Sequence, residues 1–215
     1  IEKDYAYVET DSLGGYDPYS SSKACAEHVA SAYYRSFFKD KGVGLATARA
    51  GNVIGGGDWS ADRLIPDAIR AWSNDSGVSV RYPDSVRPWQ HVIEPLYGYL
   101  VLSQNLYKES SLSDAYNFGP NPDDNVTVRS VINIAQKCYG RGSVRFSVQS
   151  NTLHEAGLLT LDNNRVRTEF GVNPVWGHQL AIERTINWHK AQNNGADPVT
   201  LCMQDIDFFK KCVAG

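Results

Sequence analysis

Cysteine is scarce and unpatterned. The four thiols, Cys25, Cys138, Cys202 and Cys212, form no Cys-x-x-Cys pair, and the five histidines fall in no His-x-x-x-His or comparable ligand spacing. That argues against a structural metal. The thiols read instead as free and mostly buried, in a reducing compartment. No apolar run approaches the ~20 residues that a membrane-spanning helix requires. Nor do residues 1 to 20 combine a basic start with an apolar block. The expectation is a soluble, cytoplasmic chain with no membrane partner. Charge of one sign is also lacking, since 21 Lys and Arg against 24 Asp and Glu leave a net charge of −3. Nucleic acid therefore has no electrostatic footprint to bind. One further absence concerns chemistry: no Gly-x-Gly-x-x-Gly or Gly-x-x-Gly-x-x-Gly follows a strand and opens a helix. The first residues, "IEKDYAYVETDS", read as a loop rather than a first strand, so the chain reads as entering a fold part-way through.

What is present describes an ordinary globular protein of 215 residues, with 42% apolar, 21% charged and 11% aromatic residues. That length allows one large domain or two small ones and a substantial core. Residues 17 to 40 predict a helix, capped by Asp17, opened by Pro18 and ended by Gly42, with Ala26, Val29, Ala30, Tyr33 and Phe37 at helical spacing. "VGLATARA" then predicts a buried strand that runs into the glycine-rich "GNVIGGGDW". Helix, strand and polar loop in that order make a unit of a parallel α/β sheet, whose ligand crevice lies beyond the carboxyl ends of the strands. Further helices are expected in "DRLIPDAIRAW", near 93 to 107, in "TVRSVINIAQKCYG" between Thr127 and Gly140, from Asn163 to Phe170, near 178 to 192, and near 201 to 213. Strands are expected in "VSVRYP", "AYNFG", "SVRFSVQ" and "LLTLD". No internal repeat or linker interrupts this order.

The stretch "YSSSK" places Tyr19 and Lys23 one helical turn apart, on one face and about 6 Å from each other. A free phenol, with a pKa near ~10, is a poor base at neutral pH, and a fixed positive charge beside it favours the phenolate. Roughly half a Tyr-x-x-x-Lys match is expected by chance in this composition, so context must carry the assignment. That context is "YSSSKACAE" at a helix start, then a strand, "ARAGNVIGGGDWSADRLIPD", "VRPWQHVIEPLYGYL", "YNFGP", "HEAGLLTLDNNRVR" and "QDIDFF".

In these motifs and their order the chain resembles the extended short-chain dehydrogenase/reductase family of nucleotide-sugar enzymes, and within it the 4,6-dehydratases of CDP-sugars. The resemblance implies an incomplete Rossmann-like parallel sheet plus a smaller mixed α/β lobe. Residues 1–53 and 92–120 would form the remainder of an NAD-binding domain, and residues 54–91 and 121–215 the nucleotide-sugar-binding lobe. It makes Tyr19 the active-site base and Lys23 the residue that holds the nicotinamide ribose of NAD. Asn52, Arg87, Arg63 and His154 would contact the substrate, the first three at its diphosphate; planar guanidinium groups suit bidentate phosphate binding. Gly55, Gly56 and Gly57 would allow a tight turn and close ligand approach. Trp59 and Trp89 read as packing residues and Arg49 as structural. The family's glycine-rich turn and its Thr-Asp-Lys acid and base have no counterpart in these residues, so the 215 residues alone are expected to be inactive. A homo-oligomeric full enzyme, a complementary chain carrying the glycine-rich half, another dehydratase or a 4-epimerase, and a non-catalytic nucleotide-sugar-binding module all remain open at this stage.

Overall fold

The computed structural model describes residues 3–147 and 157–214. Helix α1 spans Pro18–Tyr33, and its start follows local chemistry: Asp17 accepts a hydrogen bond from the Ser20 amide at 3.0 Å, with Pro18 in the first turn. The helix widens into a π-helical turn at Tyr34–Phe38, tightens over Lys39–Lys41, and ends at Gly42 in the left-handed region (φ 66°). None of its residues is buried. Val29, Tyr33 and Phe37, expected from their spacing to form an apolar face, are all more than half exposed.

Strand β1 (Thr47–Ala50) is shorter than "VGLATARA". Gly51 separates it from β2 (Asn52–Ile54). Next come α2 (Leu64–Ser73), β3 (Gly77–Arg81), β4 (Val86–Arg87), β5 (Trp89–His91), α3 (Ile93–Lys108), β6 (Ala115–Phe118), β7 (Val126–Thr127) and α4 (Val128–Tyr139). Strand β8 (Ser143–Ser147) and helices α5 (Asn164–Phe170), α6 (His178–Asn193) and α7 (Pro198–Ala214) complete the order. Pairing is mostly parallel: β1 with β6, β2 with β5 and β3 with β8, while β4 and β7 are antiparallel. This is the Rossmann-like mixed α/β class expected. "LLTLD" corrects its expectation, because Leu158 and Leu161 make only isolated bridges to Val86 and Tyr7. The helix expected near 201 starts earlier, at Pro198, because Asp197 accepts from the Thr200 amide at 2.8 Å.

Among the described residues, two apolar clusters hold the chain together. The larger joins α2, α4 and α6 to β3 and β5 through residues such as Ile69, Trp72, Val80, Ile132, Ile182 and Ile186. In α2 and α4 the buried positions recur every three or four residues, the helical period read from the sequence. The smaller cluster packs Leu102 of α3 and Tyr116 and Phe118 of β6 against Val166 and Val172. All four thiols are free, but Cys25 and Cys202 are exposed and the other two half-buried, which corrects the expectation of mostly buried thiols. Cys25 and Cys202 lie on exposed helix faces, whereas Cys138 packs against the edge of the larger core. Among the described residues, no helix is long and apolar enough to cross a membrane.

Candidate functional site

Tyr19 and Lys23 lie on the first two turns of α1, with the Lys23 ammonium 5.5 Å from the centre of the Tyr19 ring. Tyr19 is 64% exposed. Ser22 donates to the Tyr19 carbonyl at 2.7 Å, and Ser20 is engaged by Asp17. These two serines thus have helix-start roles.

One turn after Lys23, Glu27 anchors the same helix to the sheet. The Arg49 guanidinium donates to both Glu27 oxygens at 2.5 Å, and Thr47 adds a 3.3 Å contact. A planar fork on a carboxylate fixes orientation as well as distance. Strand β1, thus tied to the helix, leads through Gly51 to Asn52. Sequence reasoning set Arg49 apart as structural but missed Glu27, whose partner lies across a loop.

Asn52 pairs in register with Trp89, and its amide donates to the Pro88 carbonyl at 3.0 Å. Arg87 is thereby carried two residues before Asn52's strand partner, in a buried position (6% exposed), where it donates to the Val86 carbonyl at 2.8 Å. Arg63 stands just before α2, exposed, at the far end of the glycine loop. The structure therefore puts Arg87 at the end of β4, one residue ahead of the strand that pairs with Asn52's strand, and Arg63 at the end of the loop that follows Asn52. His154 lies outside the described residues.

The glycines of that loop differ in purpose. Gly57 has φ 84°, which only glycine adopts without strain. Gly56 has no such requirement. A Cβ placed on it would stand 2.6 Å from Cε2 of Trp188 and nearer still to Cγ and Cδ2. Trp59 is 42% exposed and meets the His189 ring edge-on at 4.9 Å, whereas Trp89 is buried in the larger core.

Behind β5 lies a set of buried titratable groups that the sequence did not reveal. His91 accepts from the Ile93 amide at 3.3 Å, and its Nε2 is 4.0 Å from Asp205. Burial, reinforced by the Arg184 charge, pushes its pKa down to about 4. Asp205, in the "QDIDFF" motif, accepts from Arg184 Nε at 2.7 Å. Burial raises its pKa despite that partner. Glu94 accepts the Val175 and Trp176 amides at 3.0 and 2.6 Å, yet burial pushes its pKa up to about 7. A cavity of about 10 Å³ beside Gln90, Glu94 and Asn163 has room for no more than a water and touches none of the phosphate candidates.

No family model matches the chain. In sequence it is 45% identical over 208 residues to the CDP-glucose 4,6-dehydratase of Salmonella typhimurium, an alignment covering 94% of this chain and 58% of that protein. The chain thus spans little more than half the length of this relative. In structure it superposes on the dTDP-glucose 4,6-dehydratase of Bacillus anthracis in complex with NAD, with TM-score 0.72, 19% identity, and 92% of this chain and 60% of that one covered. The chain has the fold of the extended short-chain dehydrogenases/reductases. A second neighbour with this fold is the dTDP-glucose 4,6-dehydratase of Streptomyces venezuelae with NAD and TYD bound, at TM-score 0.75 and 21% identity over 91% of this chain and 58% of that one. A third is the UDP-glucuronic acid 4-epimerase of Bacillus cereus in complex with UDP-glucuronic acid and NAD, at TM-score 0.76 and 16% identity, covering 89% and 58%. Dehydratases and an epimerase thus share this extended short-chain dehydrogenase/reductase fold, so the fold by itself does not select the reaction.

Proposed function

We propose that the chain supplies the Tyr/Lys helix and the nucleotide-sugar-binding residues of an NAD-dependent 4,6-dehydratase that converts CDP-glucose to CDP-4-dehydro-6-deoxyglucose, for surface polysaccharide sugars. The observation that carries this reading is the 45% identity to CDP-glucose 4,6-dehydratase, extending over 94% of the chain. Residues 1–53 and 92–120 serve the cofactor side, and residues 54–91 and 121–215 hold the nucleotide sugar. The complete enzyme is a cytoplasmic homo-oligomer.

Two geometric features fit an NAD site. Tyr19 and Lys23 share a helix face with their polar ends exposed, and Glu27 fixes that face against the strand leading to Asn52. Tyr19 accepts the proton of the sugar 4-hydroxyl. Lys23 donates to the nicotinamide ribose and keeps a positive charge beside the phenol. NAD, when bound there, would supply the hydride acceptor for oxidation at C4 and the donor for the closing reduction at C6. Asn52, Arg63, Arg87 and His154 bind the substrate, the first three at the diphosphate, where each charge-assisted hydrogen bond contributes about 1.5 to 3 kcal/mol.

Calorimetric titration of the 215-residue chain with CDP-glucose, UDP-glucose and dTDP-glucose tests the reading. The expected result is CDP-glucose binding about tenfold or more tighter than the other two, a difference of about 1.4 kcal/mol. Equal affinities would remove the cytidine assignment, and no affinity for any of the three would overturn the site.

A further inference from the structure

We infer that Trp188 of α6 is a positioning residue for the loop from Gly55 to Trp59, and through it for Asn52 and Arg63 at the loop's two ends. This rests on the reading that Asn52 and Arg63 bind a nucleoside diphosphate. The two arms of the loop are held by other elements. On the N-terminal side, the Val92 amide donates to Ile54 at 2.8 Å as β2 and β5 pair. On the C-terminal side, Arg70 of α2 donates to the Trp59 and Ser60 carbonyls at 2.8 and 3.0 Å. Between those anchors the loop rests on α6, because the Trp188 ring occupies the place where a side chain at Gly56 would begin. The next residue, His189, is fully buried and meets the Trp59 ring edge-on.

Trp188 works by shape. It is buried, and its indole nitrogen has no hydrogen-bond partner among the described residues, so the flat ring supplies the support. The helix that carries the ring is anchored by Ile182 and Ile186, which lie in the larger core. Gly56 has ordinary backbone angles, so alanine would be tolerated there but for the ring. The pairing of a bare α-carbon at 56 with an indole at 188 is therefore a matched contact, and it sets how far Asn52 and Arg63 stand from a shared ligand.

The test is a double-mutant cycle on the 215-residue chain with CDP as the probe, read by calorimetry and by amide hydrogen exchange at residues 55 to 59. Gly56→Ala and Trp188→Ala are each expected to lower CDP affinity about tenfold and to speed loop exchange, while Gly56→Ala in the Trp188→Ala background adds no further loss. Trp188→Phe, which keeps a flat apolar ring and the fold, is expected to stay within about threefold of the parent affinity. Additive losses from the two alanine changes, or loop exchange unchanged in Trp188→Ala, would overturn the inference. A parent chain without affinity for CDP would overturn the nucleotide reading instead, and the exchange cycle would still decide whether Trp188 holds the loop.

Discussion

Glu94 and His91, three residues apart at the start of α3 and the end of β5, carry opposite pKa displacements. Glu94 rises from 4.5 to about 7, and His91 falls from 6.5 to about 4. The folded state holds the Glu94 proton more tightly than the unfolded chain does. The resulting stabilisation is complete below about pH 4.5 and is lost as pH rises through about 7. His91 does the reverse, because its neutral form is the buried one. Its contribution is present above about pH 6.5 and is lost as pH falls through about 4. Each shift amounts to roughly 3 kcal/mol, so between pH 4.5 and 6.5 the two slopes nearly cancel. Glu94→Gln keeps an acceptor for the Val175 and Trp176 amides and removes one slope. Its melting temperature should exceed the parent's at pH 8 and fall more steeply below pH 6.5. Calorimetric scans across that range check this, and parallel curves for the two proteins would show that Glu94 does not titrate there.

Among the elements, α1 depends least on packing and most on one ion pair. It buries no residue, and the Glu27–Arg49 bridge ties it to the sheet. Removing one partner of a partly buried pair leaves the other charge uncompensated, a larger loss than the pair itself is worth. Glu27→Ala should therefore raise amide exchange along Pro18–Tyr33 at least about tenfold while leaving α4 and α6 as in the parent. Unchanged protection in α1 would mean that the helix is held by something other than Glu27. Helix α4 is the opposite case. Thr127 accepts from the Ser130 amide at 3.1 Å, Gly140 closes the helix at φ 88°, and five of its side chains are buried. Its caps, period and ends were all legible in "TVRSVINIAQKCYG", because each is settled within a few residues of chain.

Across the whole molecule, the two apolar clusters are unequal. Sixteen buried residues form the one around α2, α4 and α6, against five around α3 and β6. At about 1.5 to 3 kcal/mol for each large side chain, the larger cluster dominates stability. Of the five tryptophans, Trp72 and Trp89 lie in it and Trp176 and Trp188 are also buried, so emission follows buried packing, whereas far-UV dichroism reports every helix, including uncored α1. In urea, dichroism should begin to fall before the tryptophan emission shifts. Superimposable curves would instead indicate a single cooperative unit.

The sequence by itself determined the helices and their caps, the parallel α/β order, and the kinship announced by "YSSSK" and "GNVIGGGDW", since period, capping and motif are local properties. Tertiary structure alone decided the rest. "LLTLD" has an apolar pattern but, among the described residues, makes isolated bridges rather than a strand. The thiols at 25 and 202 lie on exposed helix faces. Gly56 is glycine because of an indole on α6, and Arg49 is held because of a carboxylate on α1. Such pairings join residues far apart along the chain, and no local energy term distinguishes them until packing brings the partners into contact.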